Sequence, residues 1–251
     1  MDEPGPLLAS GRDADIFDVG NGSVLRRARS GRPLHHEARI MRLAHAAGYP
    51  VPEVRGISDD GVDLVMERIE GPTLLDDLAS HPWRVHRFAD LLAGLMLDLH
   101  AIGVTASADA SDDAVPPAST GPGNSLIHLD LHPLNVLMSP KGPFVIDWAN
   151  AGAGEADIDV AVTWVVMAGA TVPGGRVTAL MGSALRDRYV RRVLRSFDLE
   201  AIRRCLPDAA AWKMADANID ATERGRMQRL VDREVVASSP RFPAHRCPKR
   251  G

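Results

Sequence analysis

The stretch His128-Leu129-Asp130-Leu131-His132-Pro133-Leu134-Asn135 gathers two imidazoles, a carboxylate and an amide within eight residues. Asp130 and Asn135 lie five apart in what reads as a loop. Twelve residues past Asn135, Phe144-Val145-Ile146-Asp147-Trp148 places a second carboxylate at the end of an apolar strand. Phosphoryl transfer to a hydroxyl asks for this set. One carboxylate accepts the hydroxyl's proton, while an amide oxygen and a second carboxylate ligate Mg²⁺, a hard cation that takes few protein carboxylates and keeps phosphate oxygens and water. Taken singly, an Asp in a loop is a turn former and an Asp at a strand end is a cap. The joint spacing is what points to chemistry.

The same residues admit a second chemistry. His128, Asp130 and His132 alternate, so on an extended chain they share a side, and imidazole suits the Zn²⁺ of a metallohydrolase. Pro133 and Asn135 have no purpose in that scheme. His128, two before Asp130, fits a residue that orders the loop by hydrogen bonding better than one that moves a proton.

These groups need elements to hold them. Leu7 to Ala9, Ile16 to Val19 and Ser23 to Arg27 read as strands, the last two joined by the hairpin signal Asn21-Gly22. A helix follows Pro33 as its first residue, with Leu34, Ala38, Met41 and Ala44 on one face until Gly48. Val51 to Val54 and Asp63 to Met66 return to strand. Beyond Glu70-Gly71-Pro72 helical periodicity dominates: Leu74 to Ala79, Val85 to Ile102, Ile158 to Gly169, Val177 to Phe197, Leu199 to Trp212 and Thr222 to Ala237, the last opened by the capping pair Asp220 and Glu223. Thr105 to Gly123 lacks periodicity and reads as an exposed, mobile loop. The expected fold is therefore α+β and two-lobed: an antiparallel-sheet lobe with one helix over 1–70, a mainly helical lobe over 71–237 that carries the Asp130 loop, and a basic tail over 238–251.

Alternation within the third strand puts Val24 and Arg26 on one face and Leu25 and Arg27 on the other. Glu37 stands on the Leu34 to Met41 edge of the first helix, where it can meet Arg26 or remain a solvated rim carboxylate. Ser10-Gly11-Arg12-Asp13-Ala14, between the first two strands, can turn over phosphates, although it has one glycine only.

Composition removes other functions. Of 251 residues 45% are hydrophobic and 25% charged, which excludes disorder and permits a large core. Lys plus Arg is 29 against 33 for Asp plus Glu, a net charge of −4, and aromatics are 4%, so a nucleic-acid module is not expected. Four of the basic residues fall in the last fourteen, leaving −8 on Met1 to Ala237. Cys205 and Cys247 are too few and too far apart for a disulfide framework or a thiolate metal site. The N-terminus has no signal-peptide pattern, and the longest apolar run, Val160 to Val172, is shorter than the ~20 residues of a membrane span. A soluble, cytoplasmic protein is the expectation.

HLDLHPLN at 128–135, IDW at 146–148 and GEADIDVA at 154–161 together resemble the aminoglycoside phosphotransferase family, whose members have the protein-kinase-like fold; the likeness spans roughly Leu7 to Ala237. The resemblance implies a kinase that moves the γ-phosphoryl group of ATP or GTP to a small-molecule hydroxyl, with Asp130 as base and Mg²⁺ held by Asn135 and Asp147. It places Arg26 where the family has its phosphate-binding Lys, with Glu37 beside it. It also implies nucleotide contacts at Gly11 and Val24, an adenine pocket lined by Met66, and backbone pairing with the base from Glu67 and Ile69. Asp159 would brace the catalytic loop. Two departures stand out: Leu129 replaces the usual Gly, and no Lys precedes Lys141. Arg26 keeps the charge in a longer planar fork. The missing Lys and the single glycine leave open a nucleotide-binding protein without turnover. Acceptors in the family include aminoglycosides, sugars and amino alcohols, and fold does not choose among them. Glu155, Asp157, Asp216, Asp220 and Glu223 offer charge to a polycation, as would any solvated acidic surface.

Overall fold

Asn21 and Gly22 have φ of 51° and 65°, the pair of left-handed residues that a tight hairpin needs to match strand twist. The strands on either side, β2 (Ala14–Gly20) and β3 (Ser23–Ala28), pair antiparallel with Ile16 opposite Arg26 and Asp18 opposite Val24. Together with β1 (Leu7–Ser10), β4 (Val54–Ile57) and β5 (Asp63–Glu67) they form a five-stranded antiparallel sheet in the order β1-β2-β3-β5-β4. Helix α1 (His35–Ala46) buries Ala38, Ile40, Met41 and Ala44. The computed structural model describes residues 5–11, 14–104, 118, 120, 123–170 and 176–238. Most of the Thr105 to Gly123 loop, and the tail beyond Ser238, lie outside the described residues.

Three local expectations shift. Pro33 stands ahead of the helix rather than as its first residue, because Leu34 is the N-cap. The fourth strand begins at Val54, not Val51: Pro50 and Pro52 have no N–H for a ladder. The last helix runs one residue further than Ala237.

Gly71, with φ of 155°, carries the chain out of the sheet, and a Cβ there would lie 2.0 Å from the Met138 carbonyl oxygen, so only glycine allows this approach. Thr73 then opens α2 (Leu74–Ser80) with a reciprocal capping box to Asp76. Helix α3 (Val85–His100) buries Phe88, Leu92, Leu95 and Leu99. The short strands β6 (Ser125–Ile127) and β9 (Gly152–Gly154) pair around the hairpin of β7 (Val136–Ser139) and β8 (Gly142–Val145). The bundle closes with α4 (Ala156–Gly169), α5 (Arg176–Leu194), α6 (Leu199–Met214) and α7 (Ala221–Ser238), whose Asp220 and Glu223 cap each other's backbone N–H groups. One hydrophobic core runs from α1 and β5 through α3 to α4 and α6. No helix among the described residues is long and apolar enough to cross a membrane.

Candidate active site

The β7–β8 hairpin brings Asn135 and Asp147 together. Val136 lies opposite Val145, and the ladder extends one step as the Ile146 N–H donates to the Asn135 carbonyl at 3.0 Å. Asp147, the next residue, turns back with φ of 65°, a conformation that Asp tolerates through its short polar side chain. The Asn135 amide N–H donates to the Asp130 carbonyl at 2.9 Å and faces Asp130 Oδ2 at 3.4 Å. Its amide oxygen is thus left to turn elsewhere. With the half-exposed Asp147 carboxylate it supplies the hard oxygen donors that Mg²⁺ prefers, so these residues fit that cation.

The loop carrying Asp130 is fixed from behind. Leu129, fully buried, takes φ of 61°, which a glycine would adopt without cost, and its N–H donates to Asp159 Oδ1 at 2.6 Å. Asp159 Oδ2 meets His100 Nε2 at 2.8 Å. Burial pushes the Asp159 carboxyl up, but hydrogen bonds from His100 and Leu129 and the charge of His100 hold it below the usual carboxylate range. Thr163, one turn further along α4, donates to the Leu131 carbonyl at 2.9 Å.

His128 does not point at Asp130. Its ring packs 4.9 Å from Trp148 and its Nε2–H donates to the Ile146 carbonyl at 3.1 Å, tying the Asp130 loop to the Asp147 strand. Nδ1 has no partner among the described residues, and burial lowers the imidazole pKa, so the neutral ring is the form the fold holds. His128, Asp130 and His132 therefore do not converge on a common point. Among the described residues no group of three or more His, Cys, Asp or Glu is placed to hold a metal.

Asp130 itself is mostly buried. Burial raises its pKa, but His132, with Nε2 3.7 Å from Oδ2, and Lys213, with Nζ 3.1 Å from Oδ1, more than offset this and bring the value to about 2. Such a carboxylate stays ionised at every ordinary pH.

On the sheet side, Arg26 and Glu37 meet in a buried ion pair, so Glu37 is no solvated rim carboxylate. Burial raises the Glu37 carboxyl pKa, with the charge of Arg26 pulling the other way. The second guanidinium nitrogen of Arg26 lies 3.3 Å from Asp147 Oδ1, reaching across from one lobe to the other. Arg27 faces away and grips Asp63 with two bonds of 2.7 and 2.6 Å.

Between the lobes opens a cavity of about 830 Å³. Gly11, Val24, Arg26, Glu37, Met66, Glu67, Ile69, Asn135 and Asp147 all line it, with apolar walls from Ile16, Leu137 and Ile146. Its size suits a small organic ligand, and its mixture of apolar walls with one charged end suits a nucleotide. The Glu67 N–H is already given to the Glu53 carbonyl, so what Glu67 can offer a base is its own carbonyl.

A family model for the phosphotransferase enzyme family matches residues 5–118 and 106–205. The chain belongs to this family. It is a small-molecule kinase. No curated protein matches it. Its fold is shared by solved structures of low identity. One is a thermostable mutant of aminoglycoside phosphotransferase APH(4)-Ia in complex with ADP and hygromycin B (16% identical, TM-score 0.64, 93% of this chain and 94% of that one). A choline/ethanolamine kinase family protein from Mesorhizobium loti is 16% identical with a TM-score of 0.58, covering 93% and 92%. The streptomycin–ATP–APH(2")-IIa complex is 17% identical with a TM-score of 0.58, covering 85% and 84%.

In this phosphotransferase two groups at the site escape sequence reading. His100 sits mid-chain on an amphipathic helix with nothing to mark it. Lys213 carries a faint signal: the chain has three Lys against 26 Arg, and this one interrupts the apolar face of α6.

Proposed function

We propose that the phosphotransferase moves the γ-phosphoryl group of ATP to a hydroxyl of a small molecule, with Asp130 as the base and Asn135 and Asp147 as the Mg²⁺ ligands. Residues 1–70 would form the nucleotide-holding lobe, and 71–237 the lobe with catalytic loop and acceptor site. The observation that carries the reading is convergence: Arg26, Asn135 and Asp147 line one cleft, and Asn135 hydrogen-bonds directly to Asp130 at its edge.

Arg26, anchored by Glu37, presents its guanidinium to the phosphate end of the cleft, and Arg can grip two phosphate oxygens at once. Val24 and Met66, opposite each other across β3 and β5, provide the apolar wall for the base. Mg²⁺ neutralises charge on the transferring phosphate when bound. Asp130 accepts the hydrogen of the acceptor hydroxyl and aims its oxygen. That oxygen forms the new bond to phosphorus as the bond to the bridging oxygen breaks; the electron pair leaves with the nucleoside diphosphate and the proton passes to Asp130. A carboxylate at about 2 is a weak base. It suits a loose transition state in which the hydroxyl proton leaves late and positioning dominates.

Replacing Asp130 by Ala is expected to keep Mg-ATP binding, read as a thermal shift, and to lose ADP release with hydroxyl acceptors by about 10³-fold or more. ADP release at the wild-type rate would overturn the assignment of the base. Binding without turnover by the wild-type protein, over a broad panel of hydroxyl compounds, would favour a nucleotide-binding protein instead, the reading that the Arg26 substitution motivates.

A further inference from the structure

Helix α6 lays Ile202, Leu206, Ala209 and Ala210 into the core, and the next position on that face is Lys213, only 9% exposed. Helical spacing asks for a small apolar residue there. A Lys on such a face ordinarily runs its stem outward and leaves its ammonium in water. Lys213 does the reverse: Nζ lies 3.1 Å from Asp130 Oδ1 and 3.8 Å from Asp216 Oδ2, with the Trp212 ring 5.8 Å away. Burying an ammonium is costly, and the fold retains it at the base of the proposed reaction.

The direction of approach matters. The nucleotide cleft is lined by the sheet, α1, the lobe junction and the Asn135 and Asp147 strands, and, among the described residues, by none of α4 to α7. Lys213 reaches Asp130 from the helical side. In-line transfer brings the acceptor hydroxyl to Asp130 opposite the leaving oxygen, hence from the side where Lys213 stands.

An ammonium has three N–H donors and no acceptor. One is directed at Asp130 Oδ1 and a second lies toward Asp216 Oδ2 at 3.8 Å, which leaves one for an oxygen beside the reacting hydroxyl. A neighbouring hydroxyl, carboxylate or phosphate oxygen can accept from it. A neighbouring ammonium on the acceptor cannot, and it adds a like charge at close range in a partly desolvated site. We propose that Lys213 holds Asp130 in position and selects acceptors whose reacting hydroxyl is flanked by oxygen rather than by an amine. This rests on the phosphotransfer reading above and narrows its substrate class toward polyols, sugars and hydroxy acids.

The test compares wild type, Lys213→Met and Lys213→Arg; Met matches the stem's volume without charge, and a thermal melt checks that each variant folds. Two readouts are taken: acceptor-free Mg-ATP hydrolysis, and ADP release with the matched pairs D-glucose and D-glucosamine, and glycerol and 2-amino-1,3-propanediol. Wild type is expected to favour the oxygen member of a pair by about tenfold or more in kcat/KM, and Lys213→Met to bring the ratio near unity. In hydrolysis, Lys213→Met should lower kcat about tenfold with the KM for Mg-ATP within about twofold, and Lys213→Arg should recover most of the loss. An unchanged ratio in Lys213→Met, a wild-type preference for the amine, or an unaffected hydrolysis kcat would overturn the inference. Should no pair be turned over, the hydrolysis readout decides alone. Absence of both a Mg-ATP thermal shift and any ADP release would defeat the phosphotransfer reading, and this inference with it.

Discussion

Around Asp130 the chain is tied from several directions: Asp159 to the Leu129 N–H, Thr163 to the Leu131 carbonyl, His128 to Ile146 and Lys213 to the carboxylate itself. At the opposite end of the cleft, β1 is exposed along all four residues and has a single strand neighbour, β2. The contrast separates two demands. A group that must meet a reacting atom within a fraction of an ångström needs a rigid frame, and its frame includes a left-handed Leu129 that core packing and the bond to Asp159 keep in place. A segment proposed to cover a nucleotide must let it in and out, and exposure along its length leaves β1 few buried contacts to hold it shut.

The contrast is broken most directly at Asp159. Asp159→Ala strands a buried N–H and a buried imidazole, and is expected to cost about 3 to 5 kcal/mol in urea unfolding, with most phosphotransfer lost. A cost comparable to that of a β1 substitution would mean that the loop is not held as described. Next comes Arg26→Lys, which gives up the two-pronged grip: the KM for Mg-ATP should rise about tenfold, roughly 1.4 kcal/mol, while the melting temperature moves little. Acid should expose the frame as well. His128 is neutral in the fold because burial lowers its pKa, so below about 6.5 the unfolded chain binds a proton that the folded chain does not. Stability therefore falls as pH drops from 6.5, by up to about 1.4 kcal/mol per unit, and His128→Gln, which keeps an N–H for Ile146, should flatten that slope. The smallest effect belongs to β1. Leu8→Ala, at an exposed residue lining the cleft, should change stability by under about 0.5 kcal/mol and raise the KM for Mg-ATP by about two- to threefold.

Much of this is legible in the amino-acid sequence. The Asn-Gly turn, the periodic faces of α1 and α3 and the Asp220 and Glu223 cap are local signals, and local signals survive folding. Alternation along β3 was enough to separate Arg26 from Arg27, and helical spacing on α1 was enough to offer Glu37 to it. What sequence could not supply was long-range pairing between residues with no mutual spacing. His100 and Asp159 are 59 apart, and Lys213 and Asp130 are 83 apart. Only the packing of α3 against β6 and of α6 against α4 makes neighbours of them. Apolarity at Val51 points to a strand start there, whereas the ladder obeys the two prolines around it and begins at Val54.

Arg26 touches a carboxylate on each side of the cleft, Glu37 from the sheet lobe and Asp147 from the helical one. The protein thus supplies its own counter-ion to Asp147, the residue proposed above to ligate a metal, and the same link draws the two halves toward each other. An incoming triphosphate trades one electrostatic partner for another instead of meeting bare charge. Because dissolved ions weaken the internal clasp as well as the new contacts, affinity for the nucleotide should decline less steeply with ionic strength than its phosphate charge alone implies.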